Sequence, residues 1–144
     1  MATELEIFRQ FLKEKLLKVT PEREAILRLV FGTHEHFDAE DLLMDARSSG
    51  QRVSKATIYR TLDLLVESGL LIRHTFDGRH ARYEHIYGHK NHEHMFCIIC
   101  HRIIEFTAPD LNRIQDEVAS QFKFRPLKRS FQISGYCSRC APSD

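Results

Sequence analysis

The sequence predicts a mixed α/β fold of the α+β kind, with a helical part first and a small α/β part after it. Three observations predict this. Apolar residues recur at helical spacing in several segments before Gly69, and the spacing becomes strand-like after it. Two Cys-x-x-Cys pairs lie in the second half of the chain. At 144 residues, the chain can hold one medium domain or two small ones.

Each of the helices predicted before Gly69 has a start signal or an end signal. Thr20 followed by Pro21 is typical of a helix start, as is Asp38 followed by acidic residues, and Ser54 caps the last of these helices. The apolar stripe of that last helix consists of Ile58, Leu62 and Leu65. The predicted helices run from Leu5 to Leu17, from Pro21 to Gly32, from Asp38 to about Ser48, and from Lys55 to Ser68.

A β-hairpin is predicted directly after these helices. The segments 70–76 and 79–84 are strand-like, and Asp77-Gly78 between them is a strong signal for a two-residue turn. The last three of these helices, followed by a β-hairpin, describe a winged helix-turn-helix. We therefore predict a winged-helix domain over residues 1–84.

The second domain is predicted over residues 85–144, with a polar, histidine-rich hinge at about 85–93. Segments 96–99 and 103–106 predict two strands around the first cysteine pair, and segment 131–134 predicts a last strand. Thr107 and Asp110 resemble a capping box for a long helix. The apolar stripe of that helix consists of Leu111, Ile114, Val118 and Phe122.

The four cysteines predict a metal site. They form two pairs of the same spacing, and none is left over. Four thiolates in two such pairs match a closed, tetrahedral Zn²⁺ site, which is structural because it leaves no open position. The alternative is four buried, reduced cysteines without a common function. The predicted zinc ligands are Cys97, Cys100, Cys137 and Cys140.

Histidines and acidic residues predict a second, different metal site. Imidazole and carboxylate ligands suit Fe²⁺, Mn²⁺, Co²⁺ or Zn²⁺ and do not select among them. The candidates are His36, Glu84, His92, His94 and Glu105, which would join the two domains across the hinge. The alternative is that histidines decorate the surface, and we expect this of His34, His74, His80, His85 and His89.

The helix that follows Ser54 has the character of a DNA recognition helix. From residue 46 to residue 62 there are four basic residues and no acidic one. Short polar side chains and arginine at the start of such a helix can reach base edges or phosphates. The same pattern also fits an ordinary amphipathic helix with a solvated basic end. The residues in question are Lys55, Thr57, Tyr59 and Arg60.

Composition argues against membrane and secreted proteins. No apolar run approaches the ~20 residues of a membrane helix, and the N-terminus lacks the pattern of a secretory signal. We therefore expect a cytoplasmic protein that binds no membrane. A zinc-dependent hydrolase built on His92 and His94 remains an alternative of another class. Five protein ligands would leave it little room for a substrate, and we expect neither enzymatic activity nor a small organic substrate.

These motifs together resemble the ferric uptake regulator (Fur) family. The resemblance extends from about Lys18 to Cys140, nearly the whole chain. The segments that resemble the family are Val19-Thr20-Pro21-x-Arg23, residues 54–62, Arg82-Tyr83-Glu84, His92-Glu93-His94-x-x-Cys97-x-x-Cys100 and Ile104-Glu105-Phe106.

The resemblance implies a homodimeric, metal-activated repressor that binds double-stranded operator DNA. The four cysteines would hold a structural zinc, and the second set of candidates would hold a regulatory metal, most simply Fe²⁺, in control of iron-uptake genes. Tyr59 and Arg60 would face the DNA, with Lys18 near the minor groove. A peroxide sensor of the same family is the alternative, although such members tend to have aspartate at the position of Glu105.

Overall fold

The computed structural model describes residues 2–32, 36–75, 80–85, 92–127 and 129–143. The chain divides into two compact units, Met1–His89 and Lys90–Asp144, here called unit 1 and unit 2. The division falls inside the predicted hinge, most of which lies outside the described residues. Among the described residues, no helix combines the length and the apolar character needed to cross a membrane.

Five helices and five strands in the described ranges confirm the predicted class. Within these ranges, unit 1 has four helices and a two-stranded antiparallel sheet, and unit 2 has one helix and a three-stranded sheet. Their bounds are α1 Glu4–Glu14, α2 Pro21–Phe31, α3 Ala39–Ser48, α4 Lys55–Glu67, β1 Leu71–Thr75, β2 Ala81–His85, β3 Glu93–Cys97, β4 Ile103–Phe106, α5 Pro109–Gln121 and β5 Gln132–Gly135.

Among the described residues of unit 1, helices α2, α3 and α4 begin where the sequence predicts, and α1 begins one residue earlier, at Glu4. At each start, the side chain of Thr3, Thr20, Asp38 or Ser54 accepts a hydrogen bond from the backbone N–H three residues later. Such caps satisfy N–H groups that have no partner inside the helix. They fix the starts of α1 to α4 locally, and packing then orients the helices.

Unit 1 encloses a well-packed apolar core. Ile58, Leu62 and Leu65 of α4 are completely buried in it, as their spacing predicts. Tyr83 and Leu71 extend the core to the sheet. The buried cluster comprises Phe8, Leu12, Ile26, Leu27, Val30, Phe37, Ala39, Leu42, Leu43, Ile58, Leu62, Leu65, Leu70, Leu71 and Tyr83.

Unit 2 is built on a sheet with the strand order β4-β3-β5. The central strand β3 pairs antiparallel with β4 and parallel with β5. Helix α5, all of which is described, buries none of its residues, and Ile114 and Val118 of its apolar stripe are each 49% exposed. The stripe is helical in spacing, but this chain alone does not cover it.

The first helix ends earlier than predicted. It stops at Glu14, and Leu16 lies in the left-handed region with φ of 59° and is 92% exposed. The N–H of Leu17 donates to the carbonyl of Leu12, and that of Leu16 donates to Lys13. This pattern is a Schellman motif, which usually has glycine at the left-handed position. Because leucine stands there instead, the sequence predicts a continuation of the apolar stripe.

The predicted capping box at Thr107 and Asp110 is wrong. The N-cap of α5 is Ala108, which offers no side-chain hydrogen bond, and Pro109 is the first helical residue. A residue before proline is disfavoured in the helical region. With Thr107 as the N-cap, Ala108 would be the first helical residue, and Pro109 disfavours that conformation of Ala108.

The strand predicted at 96–99 is displaced. β3 begins at Glu93 and ends at Cys97, where the chain turns, and Ile98 and Ile99 lie exposed in the turn. The hydrogen bond from the N–H of His101 to the carbonyl of Cys97 closes that turn. Ile98 and Ile99 therefore extend the apolar run in the sequence, but they do not belong to the strand.

The β1–β2 hairpin has a register that differs by one residue from the predicted one. A two-residue turn at Asp77-Gly78 would pair Thr75 with His80, whereas Thr75 pairs with Ala81. The turn itself lies outside the described residues. Because side chains alternate between faces, a shift of one residue changes which side chains of the two strands share a face.

Candidate metal centres and nucleic-acid interface

The four cysteines of unit 2 converge on one point. Their sulfur atoms all lie within 4.8 Å of one another, and the Sγ atoms of Cys100 and Cys137 are 3.7 Å apart. A disulfide would need about 2.0 Å. Four sulfurs at about 2.3 Å from a tetrahedral metal ion stand about 3.8 Å apart. The spacing therefore fits four ligands of one ion.

The sheet of unit 2 brings the two cysteine pairs together. In the parallel pairing of β3 with β5, Cys97 lies opposite Gly135, and the N–H of Ile98 donates to the carbonyl of Gly135 at 2.9 Å. Cys137 follows two residues later, and its N–H donates to the sulfur of Cys97 at 3.4 Å. Strand pairing thus positions sulfurs that are forty residues apart in the sequence.

Hydrogen bonds shift the pKa values of three of these thiols in different directions. The pKa of Cys97 is lowered to about 6, chiefly by the backbone N–H of Cys100 and then by that of Cys137. The pKa of Cys137 is also lowered, chiefly by the backbone N–H of Arg139. The pKa of Cys140 is raised to about 12, chiefly by its hydrogen bond to the Cys137 side chain. A bound divalent cation would displace that proton, because only thiolates are good metal ligands.

A carboxylate with two histidines lies in unit 1. An isolated β-bridge between Phe37 and Tyr83 places His36 beside Glu84 of β2, and their side chains form a contact. His74 of β1 is also close to this carboxylate, with its Nε2 atom 3.7 Å from Oε1 of Glu84. All three side chains are about nine-tenths buried. Buried carboxylates and imidazoles of this kind are candidate ligands for a cation.

His74 and His85 are not surface residues, contrary to the sequence-based expectation. The observed register places His74 on the same face of the hairpin as Glu84, because Ile72 pairs with Glu84 and His74 with Arg82. The register of a two-residue turn would place them on opposite faces, which is why the sequence does not single out His74. His85 is buried against Phe31, His80 is exposed, and His34 and His89 lie outside the described residues.

A second group of candidate ligands lies in unit 2. His94 of β3 is buried and pairs with Glu105 of β4 in the antiparallel register. His92 has its Nε2 atom 3.5 Å from Oε1 of Glu105, and its ring lies edge-on to that of His94 at 4.8 Å between centroids. As the spacing of the two histidines predicts, both rings point to the same side. This group offers two imidazoles and one carboxylate.

The predicted recognition helix α4 presents its polar residues unequally. Tyr59 and Arg60 are exposed in the first turns, as a contact with DNA would require. The hydroxyl of Thr57 is instead 2.9 Å from that of Ser54, and it belongs to the helix cap. Lys55, at the first helical position, pairs with Glu40 of α3. Lys18 is exposed before α2.

Comparison with known proteins identifies the relatives of this chain. The model of the Ferric uptake regulator family matches residues 14–134. The Ferric uptake regulation protein of Campylobacter upsaliensis is 34% identical over 138 residues, which cover 94% of this chain and 88% of that protein. That of Neisseria meningitidis is 37% identical over 131 residues, which cover 90% of each chain.

Two solved structures are similar over most of their length. The Helicobacter pylori regulator Fur, described with three functional metal binding sites, has a TM-score of 0.83 and 25% identity, covering 97% of this chain and 93% of that one. The Francisella tularensis regulator with iron has a TM-score of 0.77 and 28% identity, covering 86% and 94%. The motifs, the fold and these matches agree, and the chain belongs to the ferric uptake regulator family of metal-responsive transcription regulators.

Proposed function

We propose that this chain is a repressor that binds operator DNA as a homodimer when Fe²⁺ occupies its regulatory site. The observation that carries the proposal is the pair of histidine–carboxylate groups, of which one lies in each unit. The family consists of transcription regulators rather than enzymes, so the zinc-hydrolase hypothesis is set aside.

The four cysteines would hold a structural Zn²⁺. Soft thiolates favour Zn²⁺ over hard cations, and a closed set of four leaves no position for a substrate or a water molecule. The separation of 3.7 Å between Cys100 and Cys137 supports this assignment. The ion would join the end of β3 to the end of the chain and so stabilise unit 2.

The regulatory metal would take ligands from both units. His36 and Glu84 would supply one imidazole and one carboxylate, and His92, His94 and Glu105 would complete the shell. Ligands of this mixture bind Fe²⁺, and Mn²⁺, Co²⁺ or Zn²⁺ can substitute for it. The relative from Francisella tularensis, whose solved structure contains iron, supports the choice of Fe²⁺.

Such a site would turn metal binding into DNA binding. An ion that uses ligands from both units binds best when the units adopt one particular arrangement. Metal therefore shifts the population towards that arrangement, by no more than its difference in affinity for the two states. If this arrangement places two copies of α4 in successive major grooves, Fe²⁺ increases affinity for a palindromic operator.

The exposed face of α5 would join the two chains of the dimer. Ile114 and Val118 are half-exposed on it, Phe122 is 77% exposed just after it, and Phe124 and Leu127 follow. An apolar surface of this kind is typical of an interface rather than of a monomer surface. A second copy would cover it by two-fold symmetry, as in most homodimers.

The test is DNA binding by purified, zinc-replete protein under anaerobic conditions. Duplexes are first selected from a random pool by the Fe²⁺-loaded protein, and binding is then titrated with Fe²⁺, Mn²⁺ and Zn²⁺ separately. We expect the protein to select a palindromic sequence and to bind it more tightly with Fe²⁺ than without added metal. Selection of no sequence by the Fe²⁺-loaded protein would contradict the proposal, and so would equal binding of the selected duplex with and without added metal.

Variants of α4 show whether this helix reads the DNA. Tyr59→Ala and Arg60→Ala should weaken binding of the selected duplex while leaving the metal content unchanged, because both side chains are exposed at the start of α4. A lost base contact costs roughly 1–3 kcal/mol. Arg113→Ala on α5 is the control, and it should bind as the wild type does. Wild-type affinity in both α4 variants would place the DNA-reading surface elsewhere.

A further inference from the structure

An ion pair connects the start of the recognition helix to the helix before it. The Nζ atom of Lys55, at the first position of α4, contacts Oε1 of Glu40 in the first turn of α3. Each side chain is 56% exposed, so both are open to solvent and to a ligand. The contact with Glu40 raises the pKa of Lys55, whose ammonium group therefore stays charged.

The start of α4 differs from every other helix start in the described part of this chain. α1, α2, α3 and α5 each carry at least one acidic residue in the first turn, which offsets the positive end of the helix dipole. The first turn of α4 carries none and begins with Lys55. Positive charge is therefore concentrated where a recognition helix meets the phosphate backbone. Glu40 supplies a carboxylate to this positive charge from outside the helix.

We propose that Glu40 is an intramolecular competitor for the DNA phosphate that Lys55 contacts, and that it lowers the affinity for all DNA sequences alike. This inference rests on the proposed DNA-binding function of α4. The carboxylate oxygen of Glu40 occupies the position beside the Lys55 ammonium group that a phosphate oxygen would take in the complex with DNA. Lys55 must exchange one anion for the other when DNA binds.

The exchange has a signature in the dependence on salt. A lysine that is free in solution releases about 0.9 of a counterion for each DNA phosphate that it neutralises. When Lys55 leaves Glu40, the freed carboxylate takes up cations from solution, and the net release is smaller. Removal of the carboxylate should therefore steepen the plot of log K against log salt concentration by up to about 0.9. A residue that only stabilises the fold would not change this slope.

The expected consequence is control of non-specific binding. Phosphate contacts supply nearly all of non-specific affinity and position the protein without reading sequence. Weakening one of them lowers the affinity for operator and non-operator DNA by the same factor. Metal-free protein, which lacks the additional affinity conferred by the regulatory ion, then stays off DNA more readily. Glu40 thereby lowers the fraction of DNA occupied by metal-free protein, while the ratio of the affinities with and without metal stays the same.

The experiment compares Glu40→Gln with the wild type on two probes, a mixed-sequence duplex of about 30 base pairs and the duplex that the Fe²⁺-loaded protein selects. Asp45→Asn is the matched control, because Asp45 is exposed on the same helix and the substitution changes the net charge equally. We expect Glu40→Gln to bind both probes more tightly than Asp45→Asn, by a similar factor. The ratio of the association constant of Glu40→Gln to that of Asp45→Asn should decrease roughly threefold between about 50 and 200 mM salt.

Three further variants test whether Glu40 acts through Lys55. Lys55→Met should weaken binding of both probes, and adding Glu40→Gln to Lys55→Met should restore nothing. Glu40→Asp keeps a charge at the start of α3 but shortens the side chain, and its affinity should be intermediate. Melting temperatures, measured for every variant, should show that each remains folded.

The inference is overturned if Glu40→Gln binds no more tightly than Asp45→Asn, or if its gain persists in the Lys55→Met background. These outcomes leave the proposed function intact, since the wild type would still select and bind its operator. A wild-type protein that binds neither probe with any metal overturns the inference and the proposed function together.

Discussion

Units 1 and 2 achieve a folded structure in different ways. The described part of unit 1 buries fifteen apolar side chains in one cluster, with contributions from helices α1 to α4 and strands β1 and β2. In the described part of unit 2, the buried side chains are few, and two of them are the cysteines Cys97 and Cys137. α5 buries nothing, although its sequence is amphipathic. Unit 1 is thus stabilised by its own core, whereas unit 2 would be stabilised by the proposed zinc ion and by the proposed second copy that covers α5.

Removal of the cysteine site should have the largest effect, and it should affect unit 2 but not unit 1. Cys97→Ser or Cys140→Ser should release the zinc and unfold unit 2, because structural zinc contributes on the order of 10 kcal/mol in small zinc domains. Unit 1 should remain folded in both variants, since it contains none of the four ligands. Metal analysis and hydrogen exchange, read separately for the two units, provide the measurement. Retention of zinc in both variants, with unchanged protection of unit 2, would contradict the assignment.

Truncation of buried and exposed apolar residues should sharpen the contrast. Leu62→Ala in the core of unit 1 should lower the free energy of unfolding by about 2–5 kcal/mol, since Leu62 is fully buried. This loss should not depend on protein concentration. Ile114→Ala on α5 should have a smaller effect that grows as the protein is diluted, because the side chain would be buried only by a second chain.

Denaturation at several protein concentrations, with sedimentation to determine the mass, distinguishes the two variants. A concentration-independent loss for Ile114→Ala would show that α5 is covered within the chain.

Removal of a regulatory ligand should affect neither unit's fold. His92→Ala should retain the cysteine-bound zinc and the folded dimer, and it should lose only the metal-dependent part of DNA binding. Coupling between two sites is typically ~1–3 kcal/mol, so affinity in added Fe²⁺ should drop by roughly 5- to 150-fold. His80→Ala, at an exposed histidine, is the control and should respond as the wild type does. A full metal response in His92→Ala would remove this residue from the site.

The smallest effect concerns the backbone of unit 1. Leu16→Gly should stabilise the protein by about 1 kcal/mol, because glycine adopts the left-handed conformation at this position without the cost that leucine bears. Gly69→Ala is the reverse experiment, at a φ of 83°, where an added Cβ meets no described atom within 4 Å. It should destabilise by a similar amount through the backbone alone. Thermal unfolding measures both, and a destabilised Leu16→Gly would show that the leucine side chain has a contact.

The sequence predicts unit 1 well because its signals are local. Caps such as Thr20 and Ser54 and the stripe of α4 determine the helices within a few residues of chain, and the structure agrees with them. The cysteine cluster is also predictable, since two Cys-x-x-Cys pairs of equal spacing are typical of a four-thiolate zinc site. The predicted start of α5 is wrong because the local effect of Pro109 outweighs a possible cap.

What the sequence does not predict depends on contacts between distant segments. The hairpin register, which brings His74 to Glu84, follows from packing and not from Asp77-Gly78 alone. The buried position of His85 against Phe31 likewise depends on tertiary contacts. The exposed stripe of α5 has the pattern of a buried one, because sequence periodicity reports an apolar face and not what covers it.

The central claim is that one regulatory ion takes ligands from both units. Binding of Fe²⁺ should be measured anaerobically in zinc-replete wild type, Glu84→Gln in unit 1, Glu105→Gln in unit 2, and the double variant. The account predicts one regulatory ion per wild-type chain, a large loss of affinity in each single variant, and little further loss in the double variant, because ligands of one ion act as a unit. Losses that simply add, or two regulatory ions per chain of which each variant removes one, would contradict it.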